Sequence, residues 1–202
     1  RLNLAENTMV VFASDNGPAT GVYERVQEFG HYSMGARRGM KTDVLEGGHR
    51  VPLVVRWPGI IEPDQRSDEL VCLTDWLATI AEITGQEIPE NAGEDSMSFL
   101  ALLRNGSLEN PYRESVIHHT PKGEFAIRSR DWVFIDGGAA PESEPEWFRV
   151  IRNAEANTFP GQLYDLEDDP TQSFNLYGLY PEKVQELKAL MENAKQAGRT
   201  RD

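Results

Sequence analysis

Two short apolar, β-branched runs flank a long glycine-rich stretch, and this arrangement leaves few folds open to the N-terminal half of the chain. Residues 8–14 form the first run and end abruptly at Asp15-Asn16-Gly17-Pro18, and residues 51–57 form the second. Such runs are typical of buried strands in parallel sheets that helices cover on both faces. The glycine-rich residues 17–50 between them predict a long loop, which in a compact domain is usually functional or mobile.

The pattern changes near residue 108. Three short runs separated by turn residues predict antiparallel strands at residues 115–118, 125–128 and 132–136, and residues 163–166 predict one more. Pro181 opens a helix whose apolar residues share one face. We therefore expect an α/β class: part of a doubly wound sheet over residues 1–107, then a small α+β unit over residues 108–202 with an antiparallel sheet and a C-terminal helix. An earlier helix is predicted from residue 76, with Thr74 as its cap and Gly85 as its stop.

Composition excludes several classes of function. The formal net charge of −13 argues against nucleic-acid binding through the overall field. No apolar run approaches the roughly 20 residues that a membrane span needs. Cys72 is the only cysteine, so no intrachain disulfide or cysteine-type zinc site can form, and its apolar neighbours predict a buried, inert thiol.

The charge is unevenly distributed. Residues 36–56 carry five cations against two carboxylates, the cations being Arg37, Arg38, Lys41, Arg50 and Arg56. A basic island in an acidic chain indicates a small anionic ligand, although a chance cluster on a solvated loop has the same composition.

Five residues are candidates for chemistry. Asp15 and Asn16 follow a predicted strand and offer the hard oxygens that calcium and magnesium prefer, although Asp-Asn-Gly also fits an ordinary turn. Lys41 lies among glycines, which permit close backbone approach to an anion, but a solvated loop lysine fits as well. His118 and His119 are adjacent in a predicted strand and point to opposite faces, so at most one of them is expected to reach a given pocket.

Taken in order, these segments resemble the sulfatase family of the alkaline phosphatase superfamily. The resemblance lies in residues 7–18, which read NTMVVFASDNGP, in residues 39–52, which read GMKTDVLEGGHRVP, and in VRWPG and LYDL further on. It extends over nearly the whole chain.

The resemblance implies roles for individual residues. Asp15 and Asn16 would be calcium ligands, with magnesium as the alternative, Lys41 would be the catalytic and sulfate-binding lysine, and His118 would contact substrate. The implied substrate is a sulfate ester or a sulfated glycan, with neither nucleic acid nor membrane as partner, and the intact parent is expected to be periplasmic or secreted.

One family feature is missing. Sulfatases convert a Cys or Ser in a Cys/Ser-x-Pro-x-Arg motif to formylglycine, and neither Cys72 nor any serine begins that motif here. We expect the chain, which begins with Arg1 and not Met, to be a C-terminal fragment that is inactive by itself. We also expect it either to be only marginally stable or to cover exposed apolar surface by self-association. Two alternatives stay open: a phosphoesterase or phosphonate hydrolase of the same superfamily, and a non-catalytic binding module derived from a sulfatase.

Overall fold

The computed structural model describes residues 2–138, 144–154 and 156–201. The strands are β1 (Val10–Ala13), β2 (Leu53–Arg56), β3 (Val116–His119), β4 (Phe125–Ser129), β5 (Trp132–Ile135) and β6 (Gln162–Asp165). The α-helices are α1 (Val22–Phe29), α2 (Glu46–His49), α3 (Trp76–Thr84), α4 (Leu100–Asn105), α5 (Glu146–Ile151) and α6 (Pro181–Ala197), and short 3₁₀ turns lie at Ala5–Asn7 and Leu73–Asp75. In the ranges described, every helix is too short or too polar to cross a bilayer.

The chain divides into two compact units. The first combines residues 1–13, 52–116 and 193–202, and the second combines residues 14–51 and 117–192. Each unit therefore joins stretches that are distant in sequence. The sequence analysis predicted two domains, residues 1–107 and 108–202. Compact units do not show which part of the chain folds independently, so this domain boundary stays a prediction.

In the first unit, β1 and β2 form a two-stranded antiparallel sheet in which Val10 is paired with Arg56 and Ala13 with Leu53. Both strands were predicted, but their burial and their parallel arrangement were predicted wrongly. Val10, Phe12 and Val54 are 51%, 63% and 59% exposed. The apolar, β-branched composition is enough to produce strands, whereas burial needs covering elements, and the described part of this unit does not cover these side chains.

The same unit fixes the start of α3 through one buried carboxylate. Asp75 accepts hydrogen bonds from the Cys72 N–H at 2.8 Å and the Met97 N–H at 3.0 Å, and it also pairs with the buried Arg113. Asp75, and not Thr74, flanks the helix, because Thr74 lies inside the preceding 3₁₀ turn. The predicted stop is confirmed: Gly85 adopts a left-handed conformation with φ 67°, which a residue without Cβ reaches at little cost. Cys72 is a free, half-buried thiol.

In the second unit, four strands pair in the order β3-β4-β5-β6, with β3 starting at the unit boundary. β5 is antiparallel to both of its neighbours, as predicted. Successive residues of a strand point to opposite faces, so each strand contributes to two cores. Ile127, Phe134 and Leu163 pack against α6 on one face.

The other face of the sheet packs against the glycine-rich loop. Ala126, Val133 and Tyr164 contact Val44 and Leu45, which are almost fully buried. Burying one large apolar side chain stabilises a fold by about 1.5–3 kcal/mol. The loop is therefore a structural layer of this unit.

A third cluster contains two helices that the sequence pattern did not predict. Val22, Tyr23 and Val26 of α1 pack with Phe148 of α5. Both helices are short. Residues 137–147 are rich in Gly, Pro and Glu and predict an exposed loop, but residues 146 and 147 begin α5 and Glu144 is buried. Residues 139–143 of that loop lie outside the described residues.

Candidate functional site

Two backbone hydrogen bonds join the Asp-Asn turn, residues 15–18, to the part of the glycine-rich loop that carries Lys41, residues 39–48, which we call the lysine loop. The Gly17 N–H donates to the Gly48 carbonyl at 2.8 Å, and the Lys41 N–H donates to the Pro18 carbonyl at 2.9 Å. The two segments singled out from sequence are thus neighbours in space. We call this meeting point of residues 15–18 with residues 39–48 the turn–loop junction.

Glycines allow the backbones at the junction to come this close. A Cβ on Gly17 would lie 1.9 Å from the Gly47 oxygen, and a Cβ on Gly48 would lie 2.2 Å from the Asp43 oxygen. A Cβ on Gly47 would lie 2.4 Å from the Gly39 oxygen. Real Cβ atoms do not approach backbone oxygens to such distances, so the junction requires glycine at all three positions.

The candidate side chains differ in exposure at this junction. Asp15 and Lys41 are exposed, and Asn16 is half-buried. The Asn16 amide nitrogen donates to the Gly17 carbonyl at 3.0 Å, which holds the side chain against its own turn. The junction therefore presents a carboxylate and an ammonium to solvent from adjacent backbone segments.

The described residues contain no group of three or more His, Cys, Asp or Glu side chains arranged to hold a metal ion. Asp15 and Asn16 are chemically suited to a hard cation, because each offers a side-chain oxygen and they are adjacent in one turn. Calcium takes about six to eight oxygen ligands, so two residues cannot complete a site. The calcium assignment stays a prediction.

The basic island does not form one ligand surface. Arg38 is buried and paired with Glu144, its Nη2 lying 2.6 Å from Oε2. Arg56 belongs to β2, where its Nη2 lies 3.7 Å from Glu6 Oε1. Both cations are thus engaged in ion pairs, and the sequence pattern overestimated the charge available to a ligand.

Two arginines, one on β4 and one just after α2, converge on Glu46, which lies at the start of α2 and is buried. Its Oε2 accepts from Arg128 Nη1 at 2.9 Å and from Arg50 Nη1 at 3.3 Å, and its backbone N–H donates to Gln172 Oε1 at 2.7 Å. Burial and the nearby Arg50 guanidinium lower the pKa of Arg37. This pairing ties α2 to β4, and Arg128 is a residue that the sequence analysis missed.

His118 packs against a histidine that sequence reasoning also missed. The rings of His49 and His118 are 3.6 Å apart between centroids, and each Nε2 lies near the Val44 carbonyl oxygen, at 3.2 Å and 3.0 Å. Burial lowers the pKa of His49 to about 4, and burial together with His49 lowers the pKa of His118 to about 3. Both imidazoles are therefore neutral at pH 7, and each can donate its Nε2–H to that carbonyl.

The two adjacent histidines of β3 differ in exposure, as expected for successive strand residues that point to opposite faces. His118 is half-buried against the lysine loop, whereas His119 is exposed, with Nδ1 2.8 Å from the Thr120 oxygen. His118 thus holds the backbone of the loop at Val44. Its predicted contact with substrate stays a prediction. No sequence signal pointed to His49, because its role depends on the fold that brings it to His118.

Comparison with known proteins identifies the family. The Sulfatase family model matches residues 1–86. An N-acetylgalactosamine-6-O-sulfatase of Bacteroides thetaiotaomicron is 33% identical over 198 residues, covering 96% of this chain and 37% of its own length. Human Arylsulfatase A is 32% identical over 201 residues, covering 94% of this chain and 38% of its own length. The chain thus spans less than two fifths of the length of these curated relatives.

A solved structure shows the same fold. It is described in connection with the metabolism of multiple glycosaminoglycans by Bacteroides thetaiotaomicron, and it matches with a TM-score of 0.78 and 32% identity over 96% of this chain and 40% of its own. This match confirms the predicted α/β class. Because the sequence and structure matches extend over almost the whole chain, the protein belongs to the sulfatase family and corresponds to a C-terminal portion of its members.

Proposed function

We propose that the chain contributes one wall of the active site of a calcium-dependent, formylglycine-type sulfuric ester hydrolase. The turn–loop junction carries this proposal, because two backbone hydrogen bonds place the Asp15-Asn16 turn beside the Lys41 loop. A cation site and an ammonium side by side suit a sulfate ester, whose sulfuryl oxygens carry negative charge in the ground and transition states.

In this proposal Asp15 and Asn16 hold part of the metal site, and Lys41 contacts the sulfate group. A bound calcium ion would stabilise negative charge on the sulfuryl oxygens. Lys41 does the same from the protein side, and the buried contacts of Val44 and Glu46 keep its loop in place. The chain contains no Cys/Ser-x-Pro-x-Arg motif, so we expect no sulfate release from these residues alone.

Relatives indicate the class of substrate. The bacterial relative is named for the 6-O-sulfate of N-acetylgalactosamine, and the solved structure is described in connection with glycosaminoglycans. A sulfated glycan is therefore the substrate that we propose for the complete enzyme. The sequence context that joins Lys41 to Glu46-Gly47-Gly48 favours a sulfatase over a phosphoesterase of the same superfamily.

The test is the Lys41→Ala substitution in the complete protein that carries this chain. Removing one preorganised charge at the reacting group costs about 100-fold or more in kcat. Release of 4-nitrophenol from 4-nitrophenyl sulfate measures the effect, and 4-nitrophenyl phosphate is the matched substrate for the phosphoesterase alternative. Lys188→Ala is the control lysine variant, because Lys188 lies on α6, which packs on the opposite face of the sheet from the loop.

Three results would contradict the proposal. Full activity of Lys41→Ala would show that Lys41 is not part of the active site. Faster cleavage of the phosphate ester than of the sulfate ester would favour the phosphoesterase. A complete protein that cleaves neither ester and binds sulfated glycan would favour the binding module. The metal is tested separately: chelation should abolish activity, calcium should restore it, and Asp15→Asn should raise the calcium concentration needed.

A further inference from the structure

A second candidate binding site lies between the segment after α1 and the C-terminal end of α5. It is an open pocket of about 390 Å³ lined by Tyr32, Gly35, Ile151 and Arg152. None of these residues belongs to the turn–loop junction. Ligand pockets usually measure about 300–1,000 Å³, so this one suits a single sugar unit.

The pocket contains a guanidinium that is held without a carboxylate. The Cζ atom of Arg152 lies 5.0 Å from the centroid of the Tyr32 ring and 5.2 Å from that of Phe148. Its Nη2 donates to the Gly35 carbonyl at 3.2 Å, and its Nε is buried without a hydrogen-bond partner in the described part of the chain. Aromatic faces and one carbonyl orient this cation but do not neutralise it.

Three other arginines, of which Arg38 and Arg113 are buried and Arg128 is half-buried like Arg152, differ from it in this respect. Arg38 pairs with Glu144, Arg113 with Asp75 and Arg128 with Glu46. Among the described residues no carboxylate forms an ion pair with Arg152. The charge of Arg152 is therefore available to an anion from outside, and a guanidinium is the side chain best suited to bind carboxylate or sulfate through two parallel hydrogen bonds.

The walls beside this cation are apolar and accessible. Tyr32 is 39% exposed and Ile151 is 52% exposed. An aromatic ring next to a cation suits a pyranose, which presents an apolar C–H face and carries its charge on a substituent. A chain with a net charge of −13 does not attract polyanions through its overall field, so an anionic sugar needs a local cation of this kind.

We propose that Tyr32, Gly35, Ile151 and Arg152 form a second subsite that takes one anionic sugar unit of the glycan substrate, with Arg152 binding its carboxylate or sulfate group. The identity of the ligand as part of the substrate rests on the proposed function. The pocket itself rests only on the observed contacts.

Binding to the whole 202-residue chain tests this proposal. The probe is a chondroitin 6-sulfate disaccharide, which carries a carboxylate and a sulfate, and titration calorimetry measures its Kd. The desulfated disaccharide and inorganic sulfate separate the two anions from the sugar. We expect the disaccharide to bind. Arg152→Ala should raise its Kd about tenfold or more, which corresponds to about 1.4 kcal/mol of binding free energy. We expect Tyr32→Ala to weaken it about fivefold, as the loss of about 1 kcal/mol of ring contact predicts.

Arg149→Ala is the matched control, since Arg149 lies on α5, which ends just before Arg152, and outside the pocket lining. We expect less than a twofold change from it. Arg152→Lys keeps the charge and loses the planar fork, so weakened binding by this variant supports the subsite even where Arg152→Ala does not fold. Circular dichroism reports folding of each variant.

The outcomes separate this proposal from the proposed function. Unchanged binding by both Arg152 variants, an equal loss in Arg149→Ala, or inorganic sulfate binding as tightly as the disaccharide would overturn the subsite. None of these results changes the expected loss of activity in Lys41→Ala. Conversely, full activity of Lys41→Ala would overturn the proposed function and leave the disaccharide titration unaffected.

Discussion

The β1–β2 sheet and the glycine-rich lysine loop reverse what their sequences predict about burial. β1 is apolar and β-branched, yet all four of its residues are exposed. The loop has no apolar periodicity, yet its Val44, Leu45 and Glu46 are 3%, 1% and 1% exposed. The comparison shows that side-chain composition selects local structure, whereas burial depends on which partner the fold supplies.

The largest expected effect concerns the close backbone contacts of the loop. Gly48→Ala should lower the free energy of unfolding by about 3 kcal/mol, because its Cβ would lie 2.2 Å from a backbone oxygen that cannot move aside. Urea denaturation followed by circular dichroism measures the change. Gly30→Ala is the control: the position has a positive φ of 62°, but no atom of the described residues lies within 4 Å of the new Cβ.

The control variant Gly30→Ala should lower the free energy of unfolding by about 1–2 kcal/mol, the usual penalty for a residue with a Cβ in the left-handed conformation. If Gly48→Ala costs no more than Gly30→Ala, the loop is less tightly packed than the contacts indicate. The contrast with β1 would then disappear.

The next effect is the response of the loop to acid. The pKa values of His49 and His118 are lowered to about 4 and about 3, so the unfolded chain binds more protons than the folded chain below about pH 6.5. Their contribution to stability is therefore complete above that pH and is lost as the pH falls towards the folded values. Between pH 6.5 and 5 we expect a loss of about 3 kcal/mol for the two histidines together, measured by urea denaturation at each pH.

The double variant His49→Gln/His118→Gln should remove most of this pH dependence. Glutamine can still donate to the Val44 carbonyl but does not titrate. An unchanged slope in that variant would show that other groups control stability in this range. β1 carries no titratable side chain, so it offers no comparable response.

The smallest expected effect on stability concerns the exposed sheet. Val10→Thr/Phe12→Thr should change the free energy of unfolding by no more than about 0.5 kcal/mol, because both side chains are already largely in water. The same variant should reduce self-association, since it removes an apolar patch next to a strand edge that pairs with no other described strand. Sedimentation velocity measures the association. A wild-type chain that is monomeric and unfolds cooperatively on heating would contradict the predicted self-association.

Sequence reasoning correctly predicted the helices and strands that have a clear local pattern of apolar residues. The strands β3 to β6 follow alternating periodicity, and their bounds agree with prediction within one residue. The helix α6 follows helical periodicity and begins at the predicted Pro181. The short helices α1 and α5 were missed, because each is stabilised by packing on the other through Tyr23 and Phe148. Such pairing joins residues far apart in sequence and leaves no local pattern.

The candidate site shows the same division. Asp15, Asn16 and Lys41 could be chosen from residue type and position, and the backbone bonds place their segments together. The stacking of His49 on His118 could not be predicted, because it depends on a strand and a loop whose alignment only the fold determines. The sequence gives the number of charges in residues 36–56 correctly but overestimates how many are available to a ligand, since Arg38 and Arg56 are engaged in ion pairs.

The hydrogen bond from the Lys41 N–H to the Pro18 carbonyl uses only main-chain atoms. Nearly any amino acid can therefore stand at position 41 and keep the same anchorage, so the functional group can be exchanged without loosening its support. Proline is the exception, because it has no N–H to donate. Evolution or design could thus alter the chemistry of this position while leaving the surrounding architecture untouched.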